Sequence, residues 1–117
     1  MPSQSGAAAH GPIDLDHLRK MTLCDPALER EVLRLFVEQT ANLMRTLASL
    51  PENAAVLAHT LKGSARAIGA FRVAEAAAAL EAALCSEGDA RETFARLEAE
   101  VGAARRAAAA LIAQSEP

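Results

Sequence analysis

The sequence has no tryptophan and no tyrosine, and three phenylalanines are its only aromatic residues. That leaves no surface in which aromatic side chains alternate with basic ones, the usual means of holding nucleic acid. Basic residues are not in excess either: twelve Lys and Arg stand against fifteen Asp and Glu, a net charge of −3. Nucleic acid is therefore not expected as a partner. Five prolines and six glycines are too few for an all-β chain with many turns. Two cysteines, Cys24 and Cys85, make neither a disulfide framework nor a zinc site, and both read as free thiols in a reducing cytoplasm. The longest apolar run, Ala107 to Ala113, falls far short of the roughly 20 residues of a membrane span. The N-terminus has no Lys or Arg before Arg19 and no Leu-rich apolar stretch, so neither a secretory signal nor a membrane association is expected.

What is abundant is alanine, 29 of 117 residues, in a chain that is 51% apolar. Alanine favours helix and disfavours strand, so the composition points to close-packed helices in one domain. Residues 1–12 are small and polar without periodicity and read as a disordered arm. A short helix is expected after Pro12, capped by Asp14. Asp25-Pro26 starts a long one, with a stripe through Leu28, Val32, Leu35, Phe36, Gln39, Leu43, Leu47 and Leu50, ending near Ser49. Ser49 to Glu52 reads as a capping box for a helix running to Ile68, where Gly69 stops it. A further helix spans Phe71 to about Ser86. After a second capping box at Asp89–Glu92, the last carries Phe94, Leu97, Val101, Ala104, Ala108 and Leu111. Residues 115–117 are expected to fray. The short connections imply an all-α, antiparallel up-down-up-down four-helix bundle over residues 13–114, with a short extra N-terminal helix.

The chemistry is concentrated at residues 58–70. At about 100° per residue, Ala54, Leu57, Leu61, Ala65 and Ile68 share one core stripe about 80° wide. His59 then points roughly 160° away from it. Ala55, Lys62, Gly63 and Arg66 flank it on the outer face. A mid-helix glycine costs about 1 kcal/mol against alanine, so Gly63 implies a partner that must approach the imidazole closely. A neutral imidazole is a nucleophile, and a phosphoryl group on it would be screened by Lys62. The chain has no Walker loop, no kinase-type Gly-rich loop and no carboxylate cluster for Mg²⁺, so the phosphoryl donor must be a partner and the chain itself is not expected to be an enzyme. Residues equidistant from a turn at Ala70 lie level in an antiparallel pair, which sets Glu81 opposite His59. Glu81 falls about 70–80° off its own core stripe of Val73, Ala77, Leu80 and Leu84. A carboxylate there either orients the imidazole or pairs with a surface cation. His10 and His17 are expected to be solvated.

His59-x-x-Lys62-Gly63-Ser64, followed by Gly69-Ala70, closely resembles the signature of the histidine phosphotransfer (HPt) domains of bacterial phosphorelays. The resemblance covers roughly residues 13–114. It implies a four-helix bundle with an exposed, phosphorylated histidine, here His59, in mid-helix. The implied function is a monomeric, cytoplasmic phosphorelay intermediate that takes a phosphoryl group from a receiver phospho-aspartate and passes it to another receiver. The implied partners are receiver domains and hybrid histidine kinases, docking around Ala55 and Arg66. No cofactor is expected in this chain, and Mg²⁺ is expected in the partner receiver. Leu80-Glu81-x-x-Leu84 also resembles the HPt-like domains of chemotaxis kinases, in which a Glu orients the histidine. Two alternatives follow: the phospho-acceptor domain of such a kinase, and a helical adaptor that is not phosphorylated.

Overall fold

A computed structural model describes residues 11–86 and 88–115; the arm expected over residues 1–12 therefore lies mostly outside the described residues, as do His10 and residues 116–117. The described residues form five helices and no strand: α1 Leu15–Met21, α2 Pro26–Leu47, α3 Ala54–Ile68, α4 Phe71–Cys85 and α5 Ala90–Ser115. α3 packs on α4, α4 on α5, α5 on α2 and α2 on α3, so the four longer helices close a ring around one core, with α1 against α3.

Local chemistry sets most of the boundaries. The Asp25 carboxylate accepts from the backbone N–H groups of Ala27 and Leu28, and Pro26 follows at the first helical position. Asp89 accepts from the N–H of Glu92 at the head of α5. Gly69 ends α3 at φ 89°, and the N–H groups of Gly69 and Ala70 bond the carbonyls of Arg66 and Ala65. α3 and α4 pack through small side chains: Ala58 and Ala65 on one and Ala74, Ala76 and Ala77 on the other are buried, as are Leu61, Val73 and Leu80. The α5 seam is as expected at Leu97, Val101, Ala104 and Ala108, all buried.

Three expectations fail here. The buried stripe of α2 is Glu29, Leu33, Phe36, Thr40 and Leu47, whereas Leu28, Leu35 and Gln39 are exposed. Ser49 caps nothing ahead of it: its hydroxyl donates back to the Thr46 carbonyl, and α3 begins at Ala54 without a side-chain cap. Ser115, expected to fray, is the last residue of α5, and its carbonyl accepts from Arg30 Nη1 at 3.0 Å.

His17 also departs from its expected solvated state. Its Nε2–H donates to the Ala67 carbonyl at 3.1 Å, and its ring meets Phe71 edge-on at 5.2 Å. With the Asp14 N–H bonded to the Gly69 carbonyl at 2.8 Å, α1 is fastened to the α3–α4 elbow. Ala67 and Gly69 belong to the last turn of the segment that carries the motif.

Candidate functional site

His59 sits mid-way along α3 with its side chain 65% exposed. The core stripe Ala54, Ala58, Leu61, Ala65 and Ile68 is buried on the other side of the helix, which is what turns the imidazole outward. Across the α3–α4 interface, Glu81 reaches it: Oε2 lies 3.1 Å from His59 Nδ1. The other oxygen, Oε1, accepts from Lys62 Nζ at 3.0 Å. One carboxylate thus bridges two side chains that stand one turn apart on α3. The level placement of Glu81 opposite His59 is realised as a direct contact.

The electrostatics define which ring nitrogen is free. The Lys62 hydrogen bond, foremost, holds the Glu81 carboxyl below its ordinary value; partial burial opposes it, and the bond from His59 and the charges of both partners add to the lowering. An ionised carboxylate only accepts, so Nδ1 of a neutral His59 must carry the proton and donate it to Oε2. The lone pair is then on Nε2, the atom pointing away from Glu81.

Lys62 is more enclosed than an outer-face lysine would be, at 19% side-chain exposure, because its ammonium leans onto Glu81 rather than into solvent. Gly63 is exposed, and a Cβ built on it would meet nothing within 4 Å. Its backbone is helical, so neither packing nor conformation requires a glycine there. Ala55 is half-buried, and Arg66 is exposed two turns beyond His59. Val56, which sequence reasoning did not single out, is 63% exposed one turn before His59. An apolar groove of about 210 Å³ opens on the α2–α3 side, lined by Val32, Leu35, Gln39, Ser64 and Ala67 among others. Leu35, which the period of the sequence places in the core stripe, is exposed and lines this groove.

Among the described residues, no three His, Cys, Asp or Glu side chains come together as a metal-ligand set. No described helix is long and apolar enough to cross a membrane. Cys24 and Cys85 are free and exposed.

No curated protein and no solved structure matches the chain. A family model described as the Hpt domain matches residues 31–113, well over half of the chain, and its span takes in the whole His59–Ala70 motif together with Glu81. The chain belongs to the Hpt domain family, the phosphotransfer carriers of phosphorelays that work with receiver domains and histidine kinases.

Proposed function

We propose that His59 is the phosphoryl acceptor and that Nε2 is the atom that reacts. The observation that carries this is the Glu81 contact, which occupies Nδ1 and leaves Nε2 exposed with its lone pair. In the forward step Nε2 attacks the phosphorus of a receiver phospho-aspartate. The N–P bond forms, the P–O bond to the aspartate breaks, and the electron pair leaves with the carboxylate. The Nδ1 proton stays on the ring, shared with Glu81, whose charge offsets the imidazolium as it develops. Transfer onward to a second receiver is the same step reversed.

Lys62 serves the phosphoryl group as a nearby cation, and Gly63 leaves room for the receiver's loops. Ala55, Val56 and Arg66 lie on the docking face, with Arg66 steering an acidic receiver pocket. The α2–α3 groove extends that face with apolar surface. The receiver brings Mg²⁺ and most of the transition-state stabilisation, and the chain acts as a cytoplasmic monomer that carries phosphate without an ATP site. The short α3–α4 elbow and the closed ring of helix contacts support the antiparallel up-down-up-down arrangement.

One observation favours a second reading. The His59–Glu81 bond matches what the resemblance to chemotaxis-kinase acceptor domains implies, and in that case an ATP-binding kinase domain would phosphorylate His59 directly. Incubation with radiolabelled phospho-receivers, and separately with chemotaxis-type kinase domains and labelled ATP, separates the readings. Label arriving on wild type and not on His59→Gln from a receiver supports the shuttle. Label arriving only from a kinase domain supports the alternative, and none from either supports an unphosphorylated adaptor.

A further inference from the structure

Glu29 is the one charged side chain among the described residues that is buried, at 7% exposure. The two buried threonines beside it in kind, Thr22 and Thr40, donate to carbonyls of their own helices. The Glu29 carboxylate has no hydrogen bond among the described residues. Its partner is Arg19, with Nε at 3.7 Å, and the Arg19 side chain is half exposed. No buried side-chain oxygen among the described residues lacks a partner, so the Glu29 oxygens open onto solvent, where a donor group from outside can reach them. Glu29 and Arg19 both line an open cleft of about 490 Å³ between α1, the start of α2 and the end of α5. Pro26 and Leu111 give the cleft an apolar wall, and Cys24 and Gln114 complete its rim.

We propose that this cleft binds a small aliphatic α-amino acid as its zwitterion. An ammonium group supplies three donors to the Glu29 carboxylate, beside the α5 C-terminus, whose partial negative charge also favours a cation. The ligand's carboxylate meets the Arg19 guanidinium, whose planar fork suits it. Two opposite protein charges 3.7 Å apart match two opposite ligand charges borne on one α-carbon. A simple cation would lose this match and meet repulsion from Arg19. The aliphatic side chain lies along Pro26 and Leu111. The family match runs from residue 31 to 113, so Arg19, Cys24, Pro26, Glu29 and Gln114 are all outside it. The cleft lies at the ends of α2 and α5 and shares no residue with the His59 face.

The two exposed cysteines make the test internal to the protein, because Cys24 lines the cleft and Cys85 does not. Alkylation of the full chain by iodoacetamide is followed at each cysteine by mass spectrometry, with and without L-leucine. At about ten times the half-saturating concentration, L-leucine should slow Cys24 about tenfold and leave Cys85 unchanged. Isopentylamine and 4-methylpentanoate, which each lack one of the two charges, should protect far less at the same concentration. Protection should vanish in Glu29→Gln and in Arg19→Gln, the latter replacing a half-exposed side chain. The proposal is overturned if L-leucine leaves Cys24 unprotected, if Cys85 slows equally, if isopentylamine protects as well as L-leucine, or if Arg19→Gln is still protected.

Discussion

His59 and Glu81 are 22 residues apart in the chain and meet at 3.1 Å, Nδ1 to Oε2, across the α3–α4 interface. The contact depends on the tightness of that interface. Buried alanines at 58, 65, 74 and 77 keep the side chains of the two packed helices small, and the Glu81 side chain spans them. The left-handed Gly69 turns the chain back within two residues, which sets the register between them. Removing the shared carboxylate therefore alters a tautomer without touching the core.

Glu81→Gln should keep the bundle folded and slow phosphoryl uptake by His59 about tenfold, because an amide can present either oxygen or nitrogen to Nδ1 and no longer enforces the proton there. The same variant should change the acid limb of stability. A carboxyl held below its ordinary value contributes stability above that value and loses it as pH falls through the lowered one. The wild type should therefore gain on Glu81→Gln as pH rises through the lowered value toward the ordinary carboxylate value. Denaturant titrations of both proteins at a series of pH values measure this. A constant difference across that window would mean that Lys62 and His59 do not hold the Glu81 carboxyl below its ordinary value.

Lys62→Ala should leave the fold intact and shorten the life of the phosphorylated protein or slow transfer. Its ammonium stands one turn from His59, and at rest it is held by Glu81 at 3.0 Å rather than free in solvent. Following the decay of acid-labile phosphate in wild type and variant checks it. Unchanged lifetime and unchanged transfer would reduce Lys62 to a partner of Glu81 alone.

Gly63 separates stability from function. Gly63→Ala should raise stability by up to about 1 kcal/mol, since the added Cβ meets only open space. Gly63→Leu should fold as well, yet block the approach of receiver loops to the imidazole. Melting temperature and receiver-to-His59 transfer rate are read together for the three proteins. A Gly63→Leu protein that transfers at the wild-type rate contradicts the close-approach explanation.

Gly69→Ala should be destabilising by about 1–3 kcal/mol. Its φ is 89°, and a Cβ there would stand 2.8 Å from the Asp14 carbonyl oxygen, so backbone strain and the loss of the α1 fastening act together. Urea unfolding gives the difference. An unchanged midpoint would show that the elbow adapts and that α1 is not anchored there.

The motif and its face were legible because one observation after another agreed: the core stripe of α3, the outward His59 and the unneeded glycine share a single helical phase. Glu81 was reachable by height alone, since the two-residue elbow leaves little freedom of register. The phase of α2 was not legible. Its apolar residues, from Leu28 and Val32 through Leu33, Leu35, Phe36 and Val37, cover too wide an arc for a stripe centre to be chosen by period. The true stripe also includes Glu29 and Thr40, polar residues at buried positions. Thr40 is accommodated by bonding the Val37 carbonyl in its own helix, a route that leaves no trace in a hydrophobic pattern. His17 was misread for a related reason. Its partner, the Ala67 carbonyl, is 50 residues away, and backbone acceptors exposed at a helix end carry no sequence signal.

The most direct test is to locate the phosphoryl group itself. The full chain, ¹⁵N-labelled at histidine, is phosphorylated with phosphoramidate and by a phospho-receiver, and the ring nitrogens and phosphorus are observed by NMR. Phosphorus should couple to Nε2 of His59 in both preparations, with Nδ1 still protonated toward Glu81, and the signal should be missing from His59→Gln. Phosphorus on Nδ1 of His59, or on His10 or His17, would contradict the assignment of His59 Nε2 as the carrier.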